Sequence, residues 1–328
     1  MRKNVKGLFV AGIVLCAAGA GLFAVGAATG GIPYAKASDL NKMNGKAKIQ
    51  ENAVMEKTKL EPIDRLEIKL GDADLEVLPS GDENYYLSYT LPNAKTEEAL
   101  SYKVEDGCLT LSDNRSNGKF IQIDISFISW LLGGRESMEE NKVTLYVPET
   151  SVFENSRIEI SDGDLELEAS HWKNMELELH YGDIELKDCA FDGGKIVSSD
   201  GSMEAQDLEL KDVQMEFRYG DVDWNRVSAK ECGMKLSDGN LEAEKLDITG
   251  NLEIRNAYGD VEVQLADACR EALSMELQTK YGDIELADDL NGEGRFKEQE
   301  DKASYERTEQ DGRGMLTVEV SDGDITVE

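Results

Sequence analysis

The stretch Ser161-Asp162-Gly163-Asp164-Leu165-Glu166-Leu167-Glu168 recurs in varied copies to the end of the chain. Its glycine aligns with seven later glycines, which are Gly182, Gly201, Gly220, Gly239, Gly259, Gly282 and Gly323. The intervals are 19 residues four times and then 20, 23 and 41, the last being close to two units with an insertion. A constant period in this range is typical of solenoids and other repeat arrays. The sequence therefore predicts a stack of units of about 19 residues.

Each copy alternates apolar and polar residues after its glycine. Apolar residues fall two and four positions later in nearly every copy, as Leu165 and Leu167 do, and further apolar pairs follow in the regular copies. Such alternation predicts short, half-buried strands, and the glycine suits the turn between them. A unit this short cannot bury its apolar face alone, so neighbouring units must stack. We predict an all-β fold, a β-solenoid resembling a β-helix, with two or three strands per unit. A sandwich of antiparallel hairpins is the alternative, although it does not require a fixed repeat.

One outward position is acidic in seven successive copies. It lies three residues after the glycine, and its occupants are Glu166, Glu185, Glu204, Asp223, Glu242, Glu262 and Glu285. We call this set the acidic column. Neighbouring strands lie ~4.8 Å apart, so unit charges at that spacing would repel by roughly 0.9 kcal/mol in water before screening. Because the repulsion is relieved by cations or a basic partner, we take the acidic column as the candidate binding stripe.

The residues beside each glycine are also acidic, but in a staggered pattern. Some copies carry Asp before the glycine, whereas others carry Tyr there and Asp after it. Separation of like charges explains the stagger, and calcium held between turns is the alternative. The candidate calcium ligands are Asp183, Asp200, Asp221, Asp238 and Asp260. Neither the nonapeptide repeat of calcium-binding β-rolls nor the EF-hand loop is present, so no cofactor is predicted, with Ca²⁺ as the open alternative.

The N-terminal residues contain one long uncharged run. Three basic residues among the first six precede it, and it extends over residues 7–32, which is 26 residues and long enough to span a bilayer as a helix. We predict a transmembrane anchor in residues 1–32. A signal sequence cleaved after Ala35-Lys36-Ala37 is the alternative. We then predict a single-pass protein of the cell membrane with its body extracytoplasmic. Under the positive-inside rule, the basic residues before the run and the lysines after it favour opposite orientations.

The rest of the chain divides into a linker and one repeat domain. Residues 33–60 are predicted to be a polar juxtamembrane linker with some helical character around Gln50 to Lys59, and residues 61–328 to be the β-repeat domain. The apolar segment Phe127–Leu132 is predicted to cap the open end of the core, with docking to a partner or membrane as the alternative. We expect the charged insertion Asn291–Arg313 to loop out, and Met315 to Glu328 to close the stack.

Composition limits the possible functions. A net charge of −32 disfavours nucleic-acid partners. The cysteines include no closely spaced pair and are predicted to be buried apolar side chains, with disulfides among Cys108, Cys189, Cys232 and Cys269 left open. The two histidines lie in no recognisable catalytic arrangement, and the acids recur in every repeat instead of marking one irregular site. We therefore predict that the protein is not an enzyme.

The chain resembles the bacterial "putative adhesin" family of membrane-anchored repeat-strand proteins. The resemblance rests on Gly26–Gly31 at the end of the apolar run, Leu66 to Pro79, Val143–Pro148 and the recurring Ser-Asp-Gly-Asp and Tyr-Gly-Asp turns. It implies an extracytoplasmic β-solenoid at the cell envelope and no catalytic residues. We expect a binding or scaffolding module whose partner is an envelope protein or a cell-surface ligand. A calcium-dependent structural module and a carbohydrate-active β-helix enzyme are the alternatives.

Overall fold

The structure is a computed structural model that describes residues 53–92, 100–113, 141–290, 294–299, 301–309 and 312–328. They belong to one compact unit, Glu51–Glu328. The predicted anchor in residues 1–32, most of the predicted linker and the segment Phe127–Leu132 lie outside the described residues. Among the residues described, no helix has the length and apolar character needed to cross a membrane.

Strands make up most of the described chain. The first nine are β1 (Ala53–Lys59), β2 (Arg65–Leu70), β3 (Asp74–Pro79), β4 (Tyr86–Leu91), β5 (Leu100–Glu105), β6 (Cys108–Asp113), β7 (Lys142–Val147), β8 (Val152–Glu154) and β9 (Arg157–Ile160). The regular repeats contain β10 (Leu165–Glu168), β11 (His171–Tyr181), β12 (Ile184–Lys187), β13 (Ala190–Asp200), β14 (Met203–Tyr219), β15 (Val222–Lys230), β16 (Cys232–Asp238), β17 (Leu241–Ile248), β18 (Gly250–Tyr258) and β19 (Val261–Leu265). A short helix, α1 (Asp267–Arg270), precedes β20 (Leu273–Tyr281), β21 (Ile284–Leu286), β22 (Arg295–Gln299), β23 (Lys302–Arg307), β24 (Gly314–Asp322) and β25 (Ile325–Val327).

Each regular coil has three strand segments, which form three faces of the stack. In the coil that starts at Leu165, β10 lies on face A, residues 171–173 of β11 lie on face B, and residues 176–181 of the same strand lie on face C. Each segment pairs in parallel with its equivalent 19 residues later, so that Leu165 lies opposite Ile184 and Leu177 opposite Ile196. This register confirms the predicted solenoid-like stack and sets three faces per coil, a number that the sequence left open.

Glycine is required at the corner between faces C and A. Gly201 has φ 146°, a conformation that residues with a side chain rarely adopt, and a Cβ built there would overlap the carbonyl oxygen of Gly182 in the neighbouring coil. The other two corners use residues in the left-handed region. They include Ala169, Asp188, Asp207, Arg226 and Lys245 between faces A and B, and Asn155, Asn174, Asp212 and Glu231 between faces B and C.

The core consists of inward side chains stacked from coil to coil. On face B, the Trp172 ring stacks between Phe153 and Phe191, with centroid distances of 4.7 and 6.4 Å. On face A, the large Trp224 has Ala205 and Ala243 as its register partners in the two adjacent coils. Large and small side chains thus fill the interior together, as close packing requires.

The C-terminal coil does not close the stack, so that expectation was wrong. Strand β24 lies between β18 and β20, and β25 lies between β19 and β21. We call one level of paired strands in the stack a rung. After β19 the chain passes through α1, skips one rung and forms β20 on the rung beyond it. The C-terminal strands fill the skipped rung. Every copy presents a similar parallel edge, so local sequence does not determine the order in which copies stack.

The charged insertion also differs from the expectation, because it is an antiparallel hairpin instead of a loop. Strand β23 pairs with β22 on one side and with β20 on the other. Tyr305 anchors the hairpin: its ring is buried, and its hydroxyl donates to the backbone oxygen of Leu290 at 2.8 Å. The hairpin covers the open edge of face C at this end of the stack.

At the other end, part of the predicted linker is a strand and not a helix. Strand β1 pairs antiparallel with β4, which pairs antiparallel with β7 at the edge of face A. Most β1 side chains are exposed and polar, a composition that discourages another chain from adding to the edge.

The predicted burial is confirmed for the four cysteines among the described residues. Cys108, Cys189, Cys232 and Cys269 are buried and free. Burial raises the pKa of the last three thiols, that of Cys269 to about 11, so they pack as small apolar side chains and are poor nucleophiles at neutral pH.

Candidate functional site

The acidic column lies on face A, where parallel pairing brings its members side by side. Glu166, Glu185, Glu204, Asp223, Glu242 and Glu262 are consecutive register partners. Beyond Glu262 the inserted C-terminal coil places Thr326, so Glu285 is separated from the other six by one rung. At the opposite end Glu76 pairs with Glu166 and extends the column, which was not predicted.

The seven carboxylates of the acidic column have no ionic partner in the described part of the chain. None of them forms an ion pair or a side-chain hydrogen bond among the residues that the structure describes. Several other outward acids pair with a base one coil away. These pairs include Glu154–Lys173, Glu168–Lys187, Asp192–Lys211, Asp207–Arg226 and Glu176–Arg157, with N–O distances of 2.5 to 3.2 Å. Cross-coil bases therefore neutralise several acids elsewhere on the stack, whereas no described base lies within ion-pair distance of a member of the acidic column.

A lysine closes the end of the column nearest Glu76. Lys142 Nζ lies 2.7 Å from Glu76 Oε1, and the Thr144 hydroxyl donates to Glu76 Oε2 at 3.0 Å. The chain thus shows how an ammonium group binds to this row of carboxylates. Partial burial and the nearby charges of Glu76 and Glu185 raise the pKa of Glu166. Partial burial also raises the pKa of Asp223, with Asp221 adding to the effect.

Two shallow depressions follow the column along face A. The first has a volume of about 360 Å³ and is lined by Glu166, Glu185 and Glu204, together with Lys142. The second, of the same size, continues past Asp223 to Glu242. The column therefore lies in a shallow, open groove that suits an extended ligand better than a compact one.

The turn carboxylates considered as calcium ligands have a structural role. Asp183 Oδ1 accepts a hydrogen bond from the Ser202 N–H at 2.8 Å, and Asp221 Oδ1 accepts one from Asn240. Asp260 accepts the N–H of Asp324 in the same way. These bonds tie successive corners together, which gives a reason for Asp or Asn at this position.

The five candidate calcium ligands do not converge on one centre. Asp200 and Asp238 instead occupy the position before the corner glycine and are exposed. Within the described ranges, no three His, Cys, Asp or Glu side chains are grouped to hold a metal ion.

Tyr and Asp alternate strictly along the corner between faces C and A. We call this set the Tyr–Asp row, and its order in space is Asp162, Tyr181, Asp200, Tyr219, Asp238, Tyr258, Asp322 and Tyr281. Each corner glycine N–H bonds to the carbonyl oxygen of the next member of the row, as Gly201 does to Tyr219. The insertion of Asp322 between Tyr258 and Tyr281 preserves the alternation where the order of the sequence breaks it.

No catalytic constellation is formed around the histidines. His180 Nε2 lies 3.8 Å from Glu178 Oε1 on the exposed side of face C, too far for a hydrogen bond. His171 lies on face B beside Trp172. Within the described chain neither histidine forms a hydrogen bond with a serine or cysteine; Ser170, next to His171, instead bonds to Trp172 and Cys189.

Comparison with known families identifies the family to which the fold belongs. A family model described as Toastrack DUF4097 matches residues 63–328. The chain belongs to this family. The match covers the whole three-faced stack of the Toastrack domain and confirms the resemblance to the "putative adhesin" family.

Several solved structures are similar to this Toastrack protein over most of its length. A putative adhesin from Bacteroides fragilis is 11% identical, with a TM-score of 0.43 and coverage of 85% of this chain and 98% of that one. A putative lipid binding protein from Parabacteroides distasonis is 13% identical, with a TM-score of 0.39 and coverage of 85% and 96%. A putative cell adhesion protein from Clostridium sporogenes is 12% identical, with a TM-score of 0.28 and coverage of 84% and 98%. No curated protein matches the sequence significantly.

Alignment on glycine explains why Glu76 was missed. In the first coil of the Toastrack domain, Ala73 occupies the corner position, and it is followed by Asp74, Leu75 and Glu76 in the pattern of Asp164, Leu165 and Glu166. The Asp-Leu-Glu sequence carries the signal that the glycine does not.

Proposed function

We propose that this Toastrack protein is a membrane-anchored, extracytoplasmic binding module of the bacterial cell envelope that acts without catalysis. Its acidic column would bind an extended, positively charged segment of a partner protein. The anchor proposal rests on the uncharged run in residues 7–32 and on the family resemblance, both read from the sequence.

The observation that carries the proposal is the unpaired state of the acidic column. Like charges ~4.8 Å apart destabilise a stack, and the cross-coil ion pairs that several other acids form are not formed by any member of the acidic column. Lys142, whose ammonium group lies 2.7 Å from Glu76 Oε1, shows the chemistry of the complementary group. A partner that supplies lysines or arginines at rung spacing would neutralise the remaining carboxylates.

Direct binding of a fluorescent lysine octapeptide tests the proposal. The column variant carries Glu185→Gln, Glu204→Gln, Asp223→Asn and Glu242→Gln. The control variant carries Glu149→Gln, Glu209→Gln, Glu276→Gln and Glu306→Gln, four exposed acids outside the column. Both variants change the net charge equally, so a difference between them reports the column and not the overall field.

We expect the column variant to bind the peptide at least about tenfold more weakly than the wild type, and the control variant to bind within about twofold of it. Wild-type affinity should fall as salt is added. Equal weakening in both variants would show that net charge alone attracts the peptide and would contradict the proposal.

A further inference from the structure

The Tyr–Asp row presents aromatic rings to solvent that the fold does not use. The side chains of Tyr181, Tyr219 and Tyr258 are 57 to 59% exposed, and Tyr281 is 50% exposed. The other large apolar side chains of the described chain that are exposed, Val54, Tyr102 and Phe296, lie elsewhere. No hydroxyl of the four row tyrosines has a hydrogen-bond partner among the described residues. Rings this exposed add little to the core and are available for contact.

The row is regular over its whole length. Successive rings lie two rungs apart, which is ~9.6 Å at the usual strand spacing, and the four rings span roughly 29 Å. Between each two rings lies an exposed carboxylate from Asp200, Asp238 or Asp322. The out-of-order C-terminal coil keeps this spacing constant to Tyr281, whose ring already carries Lys280 Nζ at 4.6 Å from its centroid.

From this spacing and chemistry we infer that the Tyr–Asp row is a binding site for an extended, uncharged β-1,4-linked glycan lying along the stack. Tyrosine rings bind the apolar faces of pyranose sugars, and the carboxylates between them accept hydrogen bonds from sugar hydroxyls. Two rungs match the length of one disaccharide unit in an extended β-1,4-linked chain, so every second sugar would meet a ring. The carboxylates repel anionic glycans, and we restrict the inference to uncharged ones.

This inference goes beyond the proposed function, because it concerns a different row of residues and a different class of ligand. The row lies on the C–A corner, whereas the acidic column lies on face A, four residues further along each copy. A glycan that contacts two or more rings gains affinity from each additional ring, because the later contacts are intramolecular. An increase of affinity with glycan length therefore distinguishes binding along the row from contact with a single ring.

Calorimetric titration of the full-length protein with β-1,4-linked oligosaccharides tests the inference. The probes are cellobiose and cellohexaose, and chitobiose and chitohexaose. We expect the hexasaccharide of at least one series to bind at least about tenfold more tightly than its disaccharide. Tyr219→Ala and Tyr258→Ala should each weaken hexasaccharide binding about tenfold.

Two controls keep the test specific. Tyr102→Ala removes an exposed tyrosine outside the row and should leave binding unchanged, and Tyr219→Phe should retain most of the affinity because the ring remains. The column variant should bind the hexasaccharide normally, so failure of one proposal does not imply failure of the other. Absence of binding to both hexasaccharides, equal binding of di- and hexasaccharides, or unchanged binding by Tyr219→Ala and Tyr258→Ala would each overturn the inference.

Discussion

Gly201 stands at a corner where the neighbouring coil leaves no room for a side chain. Its φ of 146° disfavours other residues, and the Gly182 carbonyl oxygen occupies the position of a Cβ. We predict that Gly201→Ala lowers the free energy of unfolding by roughly 2–4 kcal/mol, since backbone strain and overpacking add. Chemical denaturation measures the change.

Gly81 provides the matched control for that substitution. It also has a positive φ, 76°, but its Cβ would meet open space. Gly81→Ala should therefore cost only about 1 kcal/mol, the strain of the left-handed conformation. Similar losses at both positions would show that close approach between coils is not what requires glycine.

Glu166 and Glu159 should respond to pH in opposite ways. The pKa of Glu166 is raised by partial burial and by Glu76 and Glu185, so its charge opposes folding at neutral pH. Glu166→Gln should stabilise the protein by up to about 1 kcal/mol at pH 7, and the gain should vanish below about pH 4, where the wild-type carboxyl is protonated in both states.

The hydrogen bond from Lys69 lowers the pKa of Glu159. A carboxylate with a lowered pKa contributes stability above its unfolded pKa and loses it as pH falls through the folded one. Glu159→Gln should therefore destabilise the protein at pH 7, and the loss should shrink in acid. Melting curves of both variants from pH 3 to 8 check the two signs, and a stabilising Glu159→Gln would contradict them.

At the scale of single residues, the sequence alone predicted that the acidic column forms a row on one face, because the repeat period and the alternation of apolar and polar residues determine which side chains point outward. Six of its members are contiguous, as in Glu204 beside Asp223. The sequence did not show that the column acids lack partners, since pairing depends on which bases reach across coils.

At the scale of strands, β24 and β25 connect the last coil to the rest of the stack. Strand β20 pairs with β24 and β23, and β21 pairs with β25. We predict that truncation after residue 311 exposes the β20 and β21 amides to hydrogen exchange while β14 to β17 stay protected, because the bridge between the two parts is lost. Mass spectrometry of exchanged peptides measures the protection.

Replacement of residues 291–311 by a Gly–Ser linker serves as the control for that truncation. It removes β22 and β23 but leaves β24 in its place beside β20, so the β20 amides that bond to β24 should remain protected, whereas those that bond to β23 should exchange. If β20 stays fully protected after truncation at residue 311, the last coil can stack directly on β18, and the observed order of coils is not required.

The sequence predicted the repeated strands well, but not their order or the antiparallel ends. Each coil offers an equivalent edge, so pattern alone cannot say that β24 precedes β20 in space. One signal was available: Tyr258 followed by Tyr281 breaks the Tyr–Asp alternation, and Asp322 restores it. Strand β1 lacked a clear alternation, and its pairing with β4 depends on residues far away in the chain.

At the scale of the whole molecule, 67 acidic and 35 basic residues are distributed unevenly. Cross-coil pairs such as Asp192–Lys211 and Asp207–Arg226 use bases to neutralise acids outside the column. The acidic column receives no such compensation in the described chain, and we propose that its stability cost is offset only when a cationic partner binds.

Thermal melting of the wild type and the column variant, each with and without the lysine octapeptide, tests this claim most directly. We expect the column variant to melt at a higher temperature than the wild type in the absence of peptide, because four mutually repelling charges are gone. Peptide at one fixed concentration should raise the melting temperature of the wild type by several degrees and raise that of the column variant clearly less, because the variant binds it more weakly. A column variant that melts below the wild type and is stabilised equally by the peptide would contradict the account.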